Sequence, residues 1–267
     1  MPTRVLYAMQ TASVAGHSFG VQSASCETTI PSEDLVVFAR LGSAGRFQKD
    51  VATCKSDIKI YATTGLGEIV DSLITLATAG TASAISVTPN GFSMSGILSS
   101  FSLDASKGDF VTASMSFAGV GEATHAAAGA PTTVGAQGTI TPMTSNEVTV
   151  AGTCPSTLKY SLDIPNEVVS CLGGVIEGSQ ATIVGSHTMF SKPPFKSSIT
   201  VDGLNVGVAA ALTTFSVGTS NSADCFEWTD AAATIVSKSF NQSAGDVGAT
   251  YSLNVEGTNV TITAGQA

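Results

Sequence analysis

Two periodicities run through this chain. Over Cys54 to Tyr61, Cys54, Ile58 and Ile60 point one way and Lys55, Asp57 and Lys59 the other. That period of two predicts a strand with one buried and one wet face. Val111, Ala113, Met115 and Phe117 share one face of a second such strand, over Asp109 to Gly121. Further strands are expected over Arg4 to Met9, Gly20 to Thr29, Leu35 to Leu41, Gly91 to Leu103, Thr157 to Ile164, Thr234 to Phe240 and Val247 to Val255. Gly65 to Gly80 has the other period. Leu66, Ile69, Val70, Leu73, Ile74 and Ala77 form a helical stripe suited to packing on a sheet, and Gly80 is placed to stop it.

The pattern occurs twice. Val14-Ala15-Gly16 recurs as Val150-Ala151-Gly152, and Ile30-Pro31-Ser32-Glu33 as Ile164-Pro165-Asn166-Glu167. GLGEIVDSLITLATAG from Gly65 lies over GLNVGVAAALTTFSVG from Gly203, which predicts a second helix over Leu204 to Thr214. ILSSFSLDASKGD from Ile97 lies over TIVSKSFNQSAGD from Thr234, and Gly121 over Gly257. With a one-residue deletion after Asp246, Val247, Ala249, Tyr251 and Leu253 superpose on Val111, Ala113, Met115 and Phe117. The order is kept at a nearly constant offset, as tandem duplication requires. Val184 to Lys196, with His187 and Pro193-Pro194, has no clear counterpart in the first copy. The expected division is residues 1–124, an Ala/Gly/Pro/Thr-rich linker at 125–138, and residues 139–267.

Composition supports a mainly β fold: Ser, Thr, Ala, Gly and Val abound, and only 12% of residues are charged. The net charge of −9 argues against a nucleic-acid-binding surface, which needs clustered cations. The stretch Met1-Pro2-Thr3-Arg4-VLYAMQTASVAG lacks the apolar core of a signal peptide. The uncharged stretch Ser72 to Leu103 is too punctuated by polar residues and Gly to span a membrane.

No catalytic motif is present. His17, His125 and His187 are far apart, and neither GxSxG, HExxH nor a P-loop occurs. No metal or cofactor is expected, and enzyme activity is not. Trp228 is expected to be a packing anchor. Cys26, Cys54, Cys154, Cys171 and Cys225 lack CxxC spacing. They are either isolated buried thiols or partners in inter-subunit disulfides of unknown pairing.

RVLYAMQTASVAG…GVQSASCETT, Arg4 to Thr29, resembles the opening of bacteriophage tail tube proteins. SGILSSFSLDASKGDFVTASMSFAGVG, Ser95 to Gly121, resembles that family's late hairpin. The resemblance covers most of the first copy and reaches the second through the repeat. It implies a β-sandwich or open barrel with one flanking helix per copy. Two tandem tube-like domains would join neighbours in a continuous β-barrel channel on oligomerisation. It also implies a virion protein, assembled in the bacterial cytoplasm, whose rings stack into a tube for DNA ejection. Its partners would be itself, other tail proteins (sheath if the tail contracts, terminator, baseplate) and DNA as transient cargo. The long hairpin between rings would fall at Leu41 to Val51, with Gly42, Ser43, Ala44, Gly45 and Arg46 at its tip. If a ring presents six domains, a duplicated subunit supplies them as a trimer; a hexamer is the alternative. An acidic bore would repel phosphate. Competing expectations are a tail adaptor or baseplate hub with duplicated tube domains, and a tandem β-sandwich adhesin.

Overall fold

The computed structural model describes residues 6–7, 10–36, 43–48, 50–63, 65–88, 91–125, 139–140, 143, 148–150, 154–170, 187–192, 194–204, 214–218, 226–230, 232–242, 250–257 and 261–264. The first half holds β1 (Leu6–Tyr7), β2 (Thr11–Val14), β3 (His17–Thr29), β4 (Ser32–Val36), β5 (Ser43–Gln48) and β6 (Thr53–Tyr61). Helix α1 (Leu66–Thr78) follows, then β7 (Ser83–Thr88), β8 (Phe92–Ser106), β9 (Thr112–Val120) and β10 (Thr124–His125). The second half holds β11 (Thr139–Ile140), β12 (Val148–Val150), β13 (Cys154–Asp163), β14 (Asn166–Ser170), β15 (His187–Ser191) and β16 (Lys196–Leu204). It ends with β17 (Thr214–Val217), β18 (Phe226–Thr229), β19 (Thr234–Asn241), β20 (Thr250–Gly257) and β21 (Thr261–Ala264). The fold is mainly β, with α1 the one helix among the described residues.

Two long strands close the first half into a barrel. β3 gives its start to β2 and the rest to β6. β8 gives its start to β7 and its continuation to β9. The order β2–β3–β6–β9–β8–β7 returns to β2, so six antiparallel strands close on themselves. Closure removes sheet edges there. The strand periodicity is realised as expected: Cys54, Ile58 and Ile60 are buried while Lys55, Asp57 and Lys59 are exposed. Val111, Ala113, Met115 and Phe117 are all buried. α1 ends where Gly80 takes φ +67, with Thr81 N–H donating to Leu76 O and Gly80 N–H to Ala77 O. That is the Schellman arrangement, and it needs a residue at ease in the left-handed region.

The pairing order of the second half repeats the first. β3–β6–β9–β8 corresponds to β13–β16–β20–β19, and β2–β7–β8–β10 to β12–β17–β18–β21. The irregularities repeat too. A bulge between Leu98 and Ser100 has its twin between Ile235 and Ser237; another, between Val21 and Ser23, has its twin between Pro155 and Thr157. Bulges that recur in register mark the equivalent residues.

Pairing corrects three of the sequence overlays. Phe215 stands opposite Val150 as Ile85 stands opposite Val14, so Thr214 to Val217 matches β7, not the end of α1. Leu204 and Thr214 both lie in strands, which overturns the ends of the expected second helix; 205–213 lie outside the described residues. In the closing hairpin Leu253 stands opposite Lys238 as Met115 stands opposite Phe101. Leu253 therefore matches Met115 rather than Phe117, and Gly257 matches Gly119 rather than Gly121. The shift is two residues, so the faces still agree. Finally, β15 is the counterpart of β5: Glu167 opposes Phe190 as Glu33 opposes Phe47. Phe190-Ser191-Lys192 thus matches Phe47-Gln48-Lys49 within the segment that had no counterpart. Of the expected linker, His125 belongs to β10, and 126–138 lie outside the described residues.

The halves share a core. α1 packs on β18 and β21, and one apolar cluster runs through both halves. Trp228 is fully buried among Tyr160, Phe215 and, beyond them, Phe226 and Phe101. It is the packing anchor expected, surrounded by aromatic rings that are remote in sequence.

Candidate assembly interface

The two halves meet along a ladder. β8 pairs with β13 from Ser100↔Asp163 through Leu103↔Tyr160 to Ser106↔Thr157. Ile164 N–H donates to Ser99 O just beyond it, at 2.9 Å. On the core side Leu103, Tyr160, Leu162 and Ile164 are buried. The result is one continuous antiparallel run, β3–β6–β9–β8–β13–β16–β20–β19.

The run ends on the counterparts of the strands at its middle. β3 matches β13, and β19 matches β8. Among the described residues, β3 past its first residues has no strand on the side away from β6, and β19 is terminal in the sheet order. Matching by bulge and motif sets Ile30 against Ile164, Cys26 against Tyr160 and Phe240 against Leu103. In the single chain Ile30 is 47% exposed and Phe240 58%, whereas Ile164 and Leu103 are 1% exposed. Val236, at the bulge of β19, is 54% exposed. Large apolar side chains left exposed at both ends of one sheet make these edges the candidate interaction surface.

The opposite face of the same run is hydrophilic. Cross-strand registers align Ser25, Asp57, Ser116, Ser100, Asp163 and Lys196 in one row. Lys59, Ser114, Ser102, Ser161, Ser198 and Glu256 make the next. A third holds Thr112, Asp104, Lys159, Thr200 and Asn254. Hydroxyls occupy much of the polarity: Thr157 Oγ1 donates to Asp202 Oδ2 at 2.8 Å, and Ser116 Oγ donates to Asp57 Oδ1. Carboxylates (Glu27, Asp57, Asp104, Asp163, Asp202, Glu256) outnumber lysines (Lys55, Lys59, Lys159, Lys196), and the signs are interspersed.

Cys26 lies half-buried on the outermost strand β3, and Cys54 is buried on β6; both are free thiols. Burial pushes both thiols above the usual cysteine range, and the neighbouring Cys54 adds to the shift at Cys26. Cys154 opens β13, while Cys171 and Cys225 lie outside the described residues. Of the expected hairpin tip, Ser43, Ala44, Gly45 and Arg46 belong to β5 and Gly42 lies outside the described residues. His17 opens β3, His125 is exposed on β10 and His187 opens β15.

Among the described residues, no group of three or more His, Cys, Asp or Glu could hold a metal ion. None of their helices is long and apolar enough to cross a membrane. The chain matches no protein-family profile and no curated protein. The signal that sequence reading missed was the exposure of Ile30, Val236 and Phe240. It becomes visible only once the repeat is aligned by strand pairing.

Proposed function

We propose that this chain is a self-assembling structural subunit of the bacteriophage tail tube kind, joined head to tail into rings that stack around a channel for DNA. One observation carries it: the ends of the eight-strand run are the unfilled halves of a joint already made once inside the chain. Copying the β8–β13 ladder onto β19 and the next chain's β3 sets Thr29 opposite Ser237, Glu27 opposite Ser239 and Cys26 opposite Phe240. Covering Ile30 and Phe240 in this way contributes roughly 1.5–3 kcal/mol each. A closed ring leaves no sheet edge to nucleate aggregation.

Strand count favours three chains per ring. At about 4.8 Å between strands and a tilt near 40°, three eight-strand runs close at a backbone diameter of about 50 Å. Side chains narrow the bore to about 40 Å, roughly twice the width of a duplex whose grooves are about 8 Å deep. Six chains would double the diameter without need. The hydroxyl-rich, mixed-charge face then lines the bore. It offers phosphate no cationic stripe to bind, so the duplex slides. Weak grip, more than strong repulsion, is the property this face supplies.

A designed crosslink tests the joint. Phe240→Cys, assembled and oxidised, should link to Cys26 of the next chain, because directly opposed residues have Cβ atoms about 5 Å apart. Non-reducing electrophoresis should give a ladder that stops at three chains, abolished by Cys26→Ser. A ladder stopping at six would overturn the trimer, and no crosslink in assembled material would sink the head-to-tail joint. Electron microscopy separates the tube from its nearest rival: stacked hollow tubes support it, while isolated rings point to an adaptor or hub.

A further inference from the structure

We infer that Lys238 chooses the partner of the open edge: it bars β19 from pairing with a second β19 and admits the Thr28 side of the next chain's β3. The choice of β3 as the admitted strand rests on the ring reading above; the barrier does not.

The edge needs a guard. Every residue of β19 except Ile235 is exposed, and Val236 and Phe240 among them are large and apolar. A bare strand of this kind is a template for its own copies. Lys238 stands in its middle. It lies opposite Leu253, two residues along β20 from the buried Val255, so its position belongs to the core side of the sheet, as that of Phe240 does. Its counterpart in the first half is Phe101, which is buried and packs on the Tyr160 and Phe226 rings with centroids 6.1 and 5.4 Å away. A lysine thus occupies the place of a core aromatic. Pairing two β19 strands would bring both lysines onto one shared apolar face. Stripping an ammonium of water there without a partner costs more than covering Phe240 returns.

The edge of β3 has changed to match. Copying the internal ladder sets Thr28 opposite Lys238, where Leu162 stands opposite Phe101. Cys26 takes the place of Tyr160. Ser56 takes that of Ile199, because Ser56 pairs with Cys26 as Ile199 pairs with Tyr160. Four bulky positions of the closed joint, Phe101, Leu162, Tyr160 and Ile199, are therefore lysine, threonine, cysteine and serine at the open one. Thr28 Oγ1 accepts the Ala123 N–H at 3.2 Å and keeps a lone pair for the ammonium. Ser56 Oγ is buried with no hydrogen-bond partner among the described residues. Carboxylates are absent from this face of β3 and β6: Glu27 pairs with the exposed Lys55, and Asp57 is exposed, both on the hydrophilic side. Small polar groups receive Lys238 here, and a second β19 offers none in register.

Substitution at 238 tests the barrier, and at 28 the match. Below its assembly concentration the unaltered chain should sediment as a monomer. Lys238→Leu should form irregular aggregates there, in which amide exchange slows in β19 but not in β3. Lys238→Glu keeps a charge on the edge and should stay monomeric, and both variants should keep the circular dichroism spectrum of the unaltered chain. Thr28→Asp retains an acceptor for the Ala123 N–H and sets a carboxylate opposite Lys238. It should lower the concentration needed for rings about tenfold, and combining it with Lys238→Glu should reverse the gain. A Lys238→Leu chain that stays monomeric would overturn the barrier, as would aggregates protected equally on both strands, or Lys238→Glu aggregating as Lys238→Leu does. Thr28→Asp acting the same with and without Lys238→Glu would overturn the match. An unaltered chain that never forms rings would sink the ring reading and the match with it, while Lys238→Leu would still decide the barrier.

Discussion

Tyr160 and Trp228 sit at the centre of the shared core, and among the described residues neither Tyr160 OH nor Trp228 Nε1 has a hydrogen-bond partner. An unmet buried hydroxyl costs about 1 kcal/mol or more, so Tyr160→Phe should stabilise the chain by about 1 kcal/mol in urea titration. Burial, helped by the negative charge of Asp230, holds the Tyr160 hydroxyl far above the ordinary tyrosine range. Unfolded tyrosine ionises near pH 10 and folded Tyr160 does not. Its contribution is therefore complete below about pH 10 and is lost as pH rises beyond it. Stability of the natural chain should fall more steeply from pH 10 to 11.5 than that of Tyr160→Phe. Equal slopes would mean the hydroxyl is not buried. At the other end of the sheet, the raised thiols of Cys26 and Cys54 predict slow alkylation at neutral pH, with Cys26 the faster of the two. Cys26 should become protected on assembly, and mass spectrometry of labelled tubes reads this directly.

At the level of elements, α1 and the β14–β15 hairpin depend on each other through one residue. Gly80 ends the helix in the left-handed region and leaves space for the Phe190 ring. Gly80→Ala meets both constraints, and should lower stability by about 1–3 kcal/mol. Phe190→Ala should cost less. Combined with Gly80→Ala it should cost less than the sum, because one partner of the clash is already gone. Strict additivity would show that ring and glycine do not touch in solution. The helix itself was legible because its stripe and stop are local. The short strands β7, β17, β18 and β21 were not, since Ser-, Thr- and Gly-rich runs carry little periodicity of their own. Thr214 to Val217 reads equally well as the end of a helix or as a strand. Pairing with Val148 to Val150 decides it.

For the whole molecule, two halves with the same pairing order form one sheet rather than two separate ones. The internal joint predicts the external one, and with it a ring symmetry. Image averaging of assembled rings should give threefold symmetry with a sixfold pseudo-repeat. A true sixfold, with six chains, would mean the second half does not take its place in the wall. The charge question also changes at this scale. The net −9 is a property of the chain, but the face available for a bore is dominated by hydroxyls, with Asp and Lys interleaved.

Sequence alone determined the strand-rich class, the one strong helix and its end, and the duplication. Each follows from local periodicity or from identity at nearly constant spacing, and neither needs distant contacts. Only tertiary structure decided which residues are equivalent. Small side chains allow several overlays, and a two-residue slip preserves every face; hydrogen-bonded registers and shared bulges remove that freedom. The same step turned Ile30 and Phe240 from ordinary strand residues into exposed counterparts of buried ones. Exposure is a difference between partners present and partners absent, and no single chain carries that in its sequence.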